Sequence, residues 1–272
     1  MKHSSLNIGL ASSVLLISVG CTTVTPTTSP DELSSGRPNY VIGYLDSSDL
    51  PKSQDFLPPP PGVKSSTFAS DEEIYKTTRK LRDTPRWAQA AQDADLTFPA
   101  TAQNFSCAAG IDISEKATPH LYMLMRRVRA DASRANDSAK NLYNRQRPYL
   151  HYGDTSCTPK EKHKDDSYPS GHNSIGWALS LVLAEAIPER ADAIFARGLA
   201  FGDSRIVCGV HWQSDATAGR IVGAATVSKL HTNPVFTAQL DLARKEAIAA
   251  RAAGSQPQRD CAAEAQALAI GK

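Results

Sequence analysis

The chain has 272 residues, of which 41% are hydrophobic and 21% are charged. These proportions exclude an intrinsically disordered or collagen-like chain, and the length is sufficient for a substantial hydrophobic core. The 30 basic and 28 acidic side chains leave a formal charge of +2. Nucleic-acid polymers are therefore not expected as partners, because the proteins that bind them carry a concentrated basic surplus.

The N-terminal segment has the pattern of an export signal. Lys2 supplies a positive charge, and the apolar stretch from Ile8 to Gly20 is too short to span a bilayer. A buried helix is disfavoured, because the stretch has neither an amphipathic period nor a cap. We expect residues 1–20 to be a signal peptide and the mature protein to be periplasmic. Cleavage either follows the small residues that end this stretch or occurs at a lipobox, where Cys21 would carry a lipid anchor, the one membrane contact expected.

Composition divides the remaining chain into three parts. Residues 21–62 are rich in Thr, Ser and Pro, which predicts an extended arm rather than packed structure. Residues 63–245 contain the helical patterns and are expected to form the main domain. Residues 246–272 are rich in Ala and are interrupted by Gly254-Ser255-Gln256-Pro257, which predicts a frayed helix and tail.

The patterns of the main domain predict an all-α, single-domain helical bundle. Acidic residues at 71–73 are expected to begin one helix, because carboxylates are favoured at helix N-termini. Residues 118–147 predict one long helix or a broken pair, since apolar residues recur there at spacings of three or four. The segment 172–186 is apolar on almost all sides, which is typical of a central buried helix. Further helices are predicted over 191–201 and 212–230.

Four cysteines remain once Cys21 is set aside, namely Cys107, Cys157, Cys208 and Cys261. An even number in an exported protein predicts disulfide bonds, with free buried thiols as the alternative. The sequence does not choose among the pairings. No CxxC or CxxxH spacing is present, so a structural zinc site is not expected.

A first pair of cations precedes a proline. Lys140 and Arg147 are separated by almost two helical turns and therefore share one face of a helix. Pro148 disfavours helical geometry at Arg147, which predicts that its guanidinium lies at a helix end. By itself such a pair is most often solvated surface.

A second motif, Ser170-Gly171-His172, directly precedes the most apolar helix. A helix start offers free backbone N–H groups and the positive end of the helix dipole, which together bind anions. Gly171 allows an anion to approach the backbone, and His172 would lie beside it. The alternative is that Ser170 is an ordinary N-cap.

A third motif contains Arg205, His211 and Asp215. His211 and Asp215 are expected on one face of a helix start, where the carboxylate can bind one imidazole nitrogen and leave the other as a base or nucleophile. Such a pair alone is more often structural. Taken together, however, three cations, a helix N-terminus and two histidines suit a tetrahedral dianion undergoing in-line phosphoryl transfer. No acidic cluster suitable for Mg²⁺ accompanies the motifs, so no metal is expected.

These residues resemble a known signature in type and order. Lys140 with Arg147-Pro148, Pro169-Ser170-Gly171-His172, and Ser204-Arg205 with His211 and Asp215 match the PAP2 phosphatase and vanadium haloperoxidase signature at all its fixed positions. From about Leu57 to Leu240 the chain further resembles the bacterial class A non-specific acid phosphatases, as at Ser167-Tyr168 and over residues 204–215.

The resemblance implies an enzyme class. Such proteins are all-helical acid phosphatases (phosphoric monoester hydrolases) that need no metal or cofactor, are periplasmic and are often homo-oligomers. Their substrates are phosphomonoesters, including nucleotides, sugar phosphates and aryl phosphates, and some members transfer phosphate to alcohols. For this chain the resemblance also implies the disulfides Cys157–Cys208 and Cys107–Cys261.

The resemblance further implies a role for each motif residue. His211 would attack phosphorus and form a phosphohistidine, with Asp215 orienting it. His172 would protonate the leaving alcohol and then activate water. The phosphoryl oxygens would be bound by Lys140, Arg147, Ser170, Gly171 and Arg205.

The chain departs from the family pattern beside the second motif, where Asp166 and Asn173 replace the usual Gly and Thr. The extra carboxylate of Asp166 is expected to repel a second phosphate or to alter the pH profile.

Two alternatives keep the same cavity. Vanadate bound to His211 would give a haloperoxidase, although such enzymes are much longer chains. A lipid-anchored phosphate-binding protein without turnover would explain the cations but not the arrangement of His211, Asp215 and His172. A lipid phosphate phosphatase is disfavoured, because most members of that type have several membrane spans.

Overall fold

Helices supply the regular structure of residues 24–161 and 164–271, which are the residues that the computed structural model describes. Within those ranges the only β-type pairing is an isolated bridge between Ser34 and Val41, and no helix is both long and apolar enough to cross a membrane. The all-α prediction is confirmed. The predicted signal peptide and Cys21 lie outside the described residues.

The α-helices are, in chain order, α1 (Ser53–Phe56), α2 (Ser66–Thr78), α3 (Pro85–Gln92), α4 (Ala100–Ala109), α5 (Pro119–Arg134), α6 (Asp137–Tyr143), α7 (Pro148–His151), α8 (Gly171–Ala186), α9 (Ala191–Val207), α10 (Gln213–Leu230), α11 (Pro234–Ala252) and α12 (Cys261–Ala269).

Helix α8 forms the centre of the bundle, as its apolar sequence predicts. It packs against α5, α9, α10 and α11, and Ile175, Leu179 and Val182 are almost completely buried. The contact with α10 is very close, because a Cβ at Gly223 would overlap the backbone of α8 and a Cβ at Gly219 would overlap the carbonyl of its N-cap, Ser170. Small residues on α10 thus bring its N-terminal end against the N-terminal end of α8.

The prediction that a helix begins at Asp71 is wrong. Helix α2 begins at Ser66, because the hydroxyl of Ser65 accepts a hydrogen bond from the Phe68 N–H at 3.1 Å and caps the helix. Asp71 lies within the helix and is buried. Its carboxylate accepts hydrogen bonds from Ser214 and Arg145 instead of compensating the helix dipole.

The segment 118–147 forms a broken pair of helices, α5 and α6, which is the second of the two predicted alternatives. Helix α5 ends at Arg134, and the Asn136 side chain donates to the Ala132 carbonyl at 2.6 Å, so it competes with helix continuation at this position. Helix α9 extends beyond the predicted end at residue 201 to Val207.

The arm is extended, but it is packed on the domain. The Tyr44 N–H donates to Asp131 of α5 at 2.7 Å, and Arg127 donates to the Gly43 carbonyl at 2.8 Å. Leu33, Val41 and Met123 form a small buried cluster. Buried apolar residues within the Thr/Ser/Pro-rich composition therefore fix the arm against α5, which the composition alone does not predict.

The C-terminal segment also folds back. Helix α12 packs against α3, and a disulfide joins its first residue, Cys261, to Cys107 of α4. A second disulfide joins Cys157 to Cys208. Both bonds are those implied by the family resemblance. The expected frayed tail is instead a short helix, whose Glu264 is buried and paired with Arg197 and Arg259.

Candidate active site

A cavity of about 260 Å³ brings the three motifs together. It is lined by Lys140, Arg147, Glu161, Asp166, Gly171, His172, Arg205 and His211. Larger cavities occur elsewhere in the described residues, such as one of about 780 Å³ between α3, α4 and α12, but none of the motif residues lines it. The chemistry of the lining, rather than the size of the cavity, therefore identifies the candidate site.

The motif residues that line the cavity come from five places in the chain. Lys140 lies on α6, Arg205 lies in the last turn of α9, and Gly171 and His172 begin α8. Arg147 is the N-cap of α7 in extended geometry, as Pro148 predicts. His211 lies just before α10 rather than within it, which corrects the expectation that it belongs to the helix start.

The contacts of His211 fix which nitrogen holds its proton. Arg147 Nη1 lies 3.1 Å from His211 Nε2. Because a guanidinium can only donate, Nε2 accepts this bond through its lone pair, and the neutral ring carries its proton on Nδ1. Burial lowers the pKa of His211 well below 6.5, and the nearby charges of Arg147 and Lys140 lower it further. The ring is thereby kept neutral, with its lone pair on Nε2.

Asp215 acts on the other side of this ring, both directly and through a serine. Its Oδ2 lies 3.5 Å from His211 Nδ1. The Ser167 hydroxyl donates to the same carboxylate at 2.5 Å and lies 3.3 Å from Nδ1, so it accepts from the Nδ1–H. The Trp212 N–H also donates to Asp215. These bonds hold the tautomer that leaves Nε2 unprotonated.

Arg145 is a buried residue of the site that the sequence motifs do not contain. Its Nη1 donates to Asp215 at 2.6 Å and its Nη2 donates to Asp71 at 2.9 Å. Burial raises the pKa of Asp215, and the positive charge of Arg145 opposes that rise. No spacing rule predicts this residue, because both of its partners are distant in sequence.

His172 is held more simply. Its Nε2 lies 3.0 Å from the Ala94 carbonyl, which can only accept, so Nε2 carries the proton and Nδ1 is left to exchange a proton with a ligand. Burial and the charge of Arg205 lower the pKa of His172 well below 6.5. A bound phosphoryl group would offset the Arg205 charge and make protonation of this ring easier.

The cations differ in their burial. Arg205 and Arg147 are almost fully buried, whereas Lys140 is partly exposed. Desolvation of the ammonium group at the cavity lowers the pKa of Lys140 to about 8, and the positive charge of Arg147 lowers it as well. The Lys140 ammonium donates to the backbone carbonyl of Asp166.

Two predicted residues, Ser170 and Asp215, lie immediately behind the cavity lining. The Ser170 hydroxyl caps α8 by accepting hydrogen bonds from the backbone N–H and the side-chain amide of Asn173. The backbone N–H of Ser170 donates to the backbone carbonyl of Asp215. The N-cap interpretation of Ser170 thus describes its main contacts. Its role in phosphate binding remains a prediction, and the first-turn N–H groups of Gly171 and His172, which have no partner within the helix, are donors facing this end.

Comparison with other proteins identifies the family. The family model of the PAP2 superfamily matches residues 121–234. A non-specific acid phosphatase from Providencia stuartii is 46% identical over 207 residues, covering 75% of this chain and 84% of that protein. The chain belongs to the PAP2 superfamily. An acid phosphatase from Zymomonas mobilis subsp. mobilis is 38% identical over 235 residues, covering 83% and 89%. A non-specific acid phosphatase from Salmonella typhi is 42% identical over 198 residues, covering 71% and 79%.

The protein is thus a bacterial class A acid phosphatase of the PAP2 superfamily, which confirms the resemblance and the enzyme class that it implies.

Proposed function

We propose that this acid phosphatase hydrolyses phosphomonoesters through a covalent phosphohistidine at His211, without a metal ion. The observation that carries the proposal is the hydrogen bond from Arg147 to His211 Nε2, which requires the lone pair of that nitrogen to lie at the cavity among the cations.

In the first step, the Arg147 N–H shifts from His211 Nε2 to a phosphoryl oxygen, and the freed lone pair of Nε2 attacks phosphorus as the bond to the ester oxygen breaks. The bonding electrons leave with that oxygen, and a protonated His172 supplies the proton that makes it a neutral alcohol. In the second step, His172 takes a proton from water as the water oxygen attacks phosphorus. The P–N bond breaks, its electrons return to His211, and inorganic phosphate leaves.

The charge of the transferring group is matched by side chains. Phosphoryl transfer spreads negative charge over three equatorial oxygens, and fixed cations stabilise that charge. Lys140, Arg147 and Arg205 supply the cations at the described cavity, and the N-terminal turn of α8 supplies N–H donors. Asp215 lies behind His211, where its negative charge stabilises the positive charge that develops on the ring in the first step.

The substrate range that we propose is broad and includes nucleotides, sugar phosphates and aryl phosphates. The cations that line the cavity match the phosphoryl group, which these substrates share, rather than the alcohol. An alcohol that replaces water in the second step would receive the phosphoryl group, which gives phosphotransferase activity.

We also propose that the protein is exported to the periplasm. The two disulfides support this location, because such bonds persist in oxidising compartments. The lipid anchor at Cys21 and the homo-oligomer remain proposals from the sequence.

The decisive experiment measures hydrolysis of p-nitrophenyl phosphate with EDTA present. The wild-type protein is expected to turn over, whereas His211→Ala loses about 10⁴-fold or more of kcat, because no nucleophile remains. His231→Ala is the matched control, since His231 is an exposed histidine that contacts Glu185 outside the cavity. Rapid acid-free quenching with a radiolabelled substrate should trap label on His211. Full activity in His211→Ala would remove the proposed nucleophile, and phosphate binding without turnover would favour a binding protein.

A further inference from the structure

Two carboxylates share the cavity with the phosphate-binding cations. Asp166 Oδ1 accepts from Arg147 at 2.7 Å through Nη2 and at 3.2 Å through Nε. Glu161 Oε2 accepts from Arg205 Nη2 at 3.1 Å. In both pairs the arginine is buried, with 6% and 1% of its side chain exposed, while 39% of each carboxylate side chain is exposed. Both acids therefore lie on the solvent side of an arginine that the motifs assign to phosphate.

The position of Glu161 is braced by other contacts. Thr158 donates to the same Glu161 oxygen at 2.9 Å. The neighbouring Cys157 is joined by a disulfide to Cys208, which directly follows the helix that carries Arg205. The covalent bond and the hydrogen bond together hold this carboxylate against Arg205, so its pairing is a built feature of the cavity wall.

The two acids change the charge available to a ligand. A phosphate monoester carries between one and two negative charges near neutral pH, because its second pKa is about 6. Three cations without the acids would favour a highly charged ligand. With Glu161 and Asp166 ionised, the cavity keeps one excess positive charge, and a second phosphate group beside the first would meet two carboxylates.

We propose that Glu161 and Asp166 are specificity-determining residues that restrict the site to substrates with a single phosphoryl group. They compete with the ligand for Arg205 and Arg147, and they repel a neighbouring phosphate on the leaving group. Within the broad range proposed above, the substrates are therefore monophosphates, so that nucleoside monophosphates are accepted whereas diphosphates and triphosphates are rejected. This inference rests on the proposed function in that it takes the cavity as the phosphoryl site.

The test measures binding rather than turnover. Calorimetric affinities for inorganic phosphate and for methylenediphosphonate, whose P–C–P bridge cannot be hydrolysed, are compared at one pH and ionic strength. The proteins are wild type, Glu161→Gln, Asp166→Asn and the double variant. Asp165→Asn is the matched control, because Asp165 is an exposed carboxylate next to Asp166 that does not line the cavity.

Each single variant is expected to bind methylenediphosphonate about tenfold more tightly than wild type, equivalent to about 1.4 kcal/mol. The affinity for phosphate should increase by a smaller factor. The double variant should show the largest change in the ratio of the two affinities, and Asp165→Asn should match wild type. An unchanged ratio of the two affinities in the double variant would overturn the proposal. Weaker binding of both ligands would overturn it as well, provided that the melting temperature of the variant is unchanged. Since no turnover is required, a failure of the phosphohistidine mechanism would leave this result interpretable.

Discussion

The two histidines of the cavity are held in very different ways. His211 belongs to a buried half of the site, in which Ser167, Asp215, Arg145 and Asp71 form a continuous set of hydrogen bonds behind the ring. His172 belongs to an open half, where one bond to a backbone carbonyl holds the ring.

The difference agrees with the tasks proposed for the two rings. A nucleophile must present the same lone pair in every cycle, so a fixed tautomer is useful. A general acid and base must gain and lose a proton in each cycle, so a deeply buried partner of fixed charge would hinder it. In the proposed mechanism, the buried half orients the nucleophile, and the open half exchanges protons and selects ligands.

Within the open half, the largest effect is expected from removing the proton donor, although it is smaller than the loss expected for His211→Ala. His172→Ala should lower kcat for an alkyl phosphate such as glycerol 2-phosphate by about 10²–10⁴-fold, because the alkoxide then leaves without a proton. The loss should be smaller for p-nitrophenyl phosphate, whose phenolate is a good leaving group. Steady-state kcat values for both substrates test this. Equal losses would show that His172 has another role.

Breaking the buried half should affect stability as well as activity. Arg145→Met leaves the Asp71 and Asp215 carboxylates buried without their counter-charge, which is expected to cost about 3–5 kcal/mol of unfolding free energy. Urea denaturation measures this, together with a fall in kcat. Arg244→Met is the control, because the Arg244–Asp241 pair is exposed and should change stability by less than about 1 kcal/mol. Equal stabilities of the two variants would contradict the proposed importance of Arg145.

A smaller change within the buried half should separate orientation from binding. Ser167→Ala removes the hydroxyl between His211 and Asp215 and is expected to lower kcat by about tenfold with KM unchanged. The kinetics should be measured over a range of pH, because a weaker hold on the Nδ1 proton also changes the pH profile. A rise in KM at constant kcat would instead indicate that Ser167 contacts the substrate.

The smallest expected effect concerns the open half at basic pH. The pKa of Lys140 is lowered to about 8, so its ammonium loses its proton as the pH rises through that value. The affinity for phosphate should be highest well below pH 8, where Lys140 is protonated. It should fall several-fold as the pH rises past 8 by about one unit, because one cation is lost. Lys140→Arg should abolish this decline, since arginine remains charged. Calorimetric titration across this range measures it, and a decline of equal size in the variant would assign the effect to another group.

The sequence predicts the fold class and the open cavity better than it predicts the buried support. An almost uniformly apolar sequence indicates α8 as the central helix, and the motif residues converge because their helices pack closely. Arg145 and Glu161 lack such a signal. Their roles depend on partners that the chain brings near only after folding, such as Asp71 for Arg145 and Arg205 for Glu161.

Local rules also failed where tertiary contacts override them. Acidic residues near a helix start suggest a dipole partner, yet Asp71 is a buried acceptor for another helix. A Thr/Ser/Pro-rich composition suggests a free arm, yet Asp131 binds the backbone at Tyr44 and holds the arm in place. In both cases a carboxylate determines the outcome through a contact with a residue far away in the sequence.

The packed arm limits how far the enzyme could lie from an attachment point at Cys21. Leu33 is buried against Met123 of α5, so the stretch between Leu33 and Cys21 sets the greatest length that could separate the domain from that point. That stretch spans about 40 Å at full extension. An acylated Cys21 would thus keep the catalytic cavity close to the bilayer surface. Phosphate esters released near the membrane would then reach the cavity before those released farther away. After cleavage by an ordinary signal peptidase, the same arm would serve as a brace on a freely diffusing enzyme.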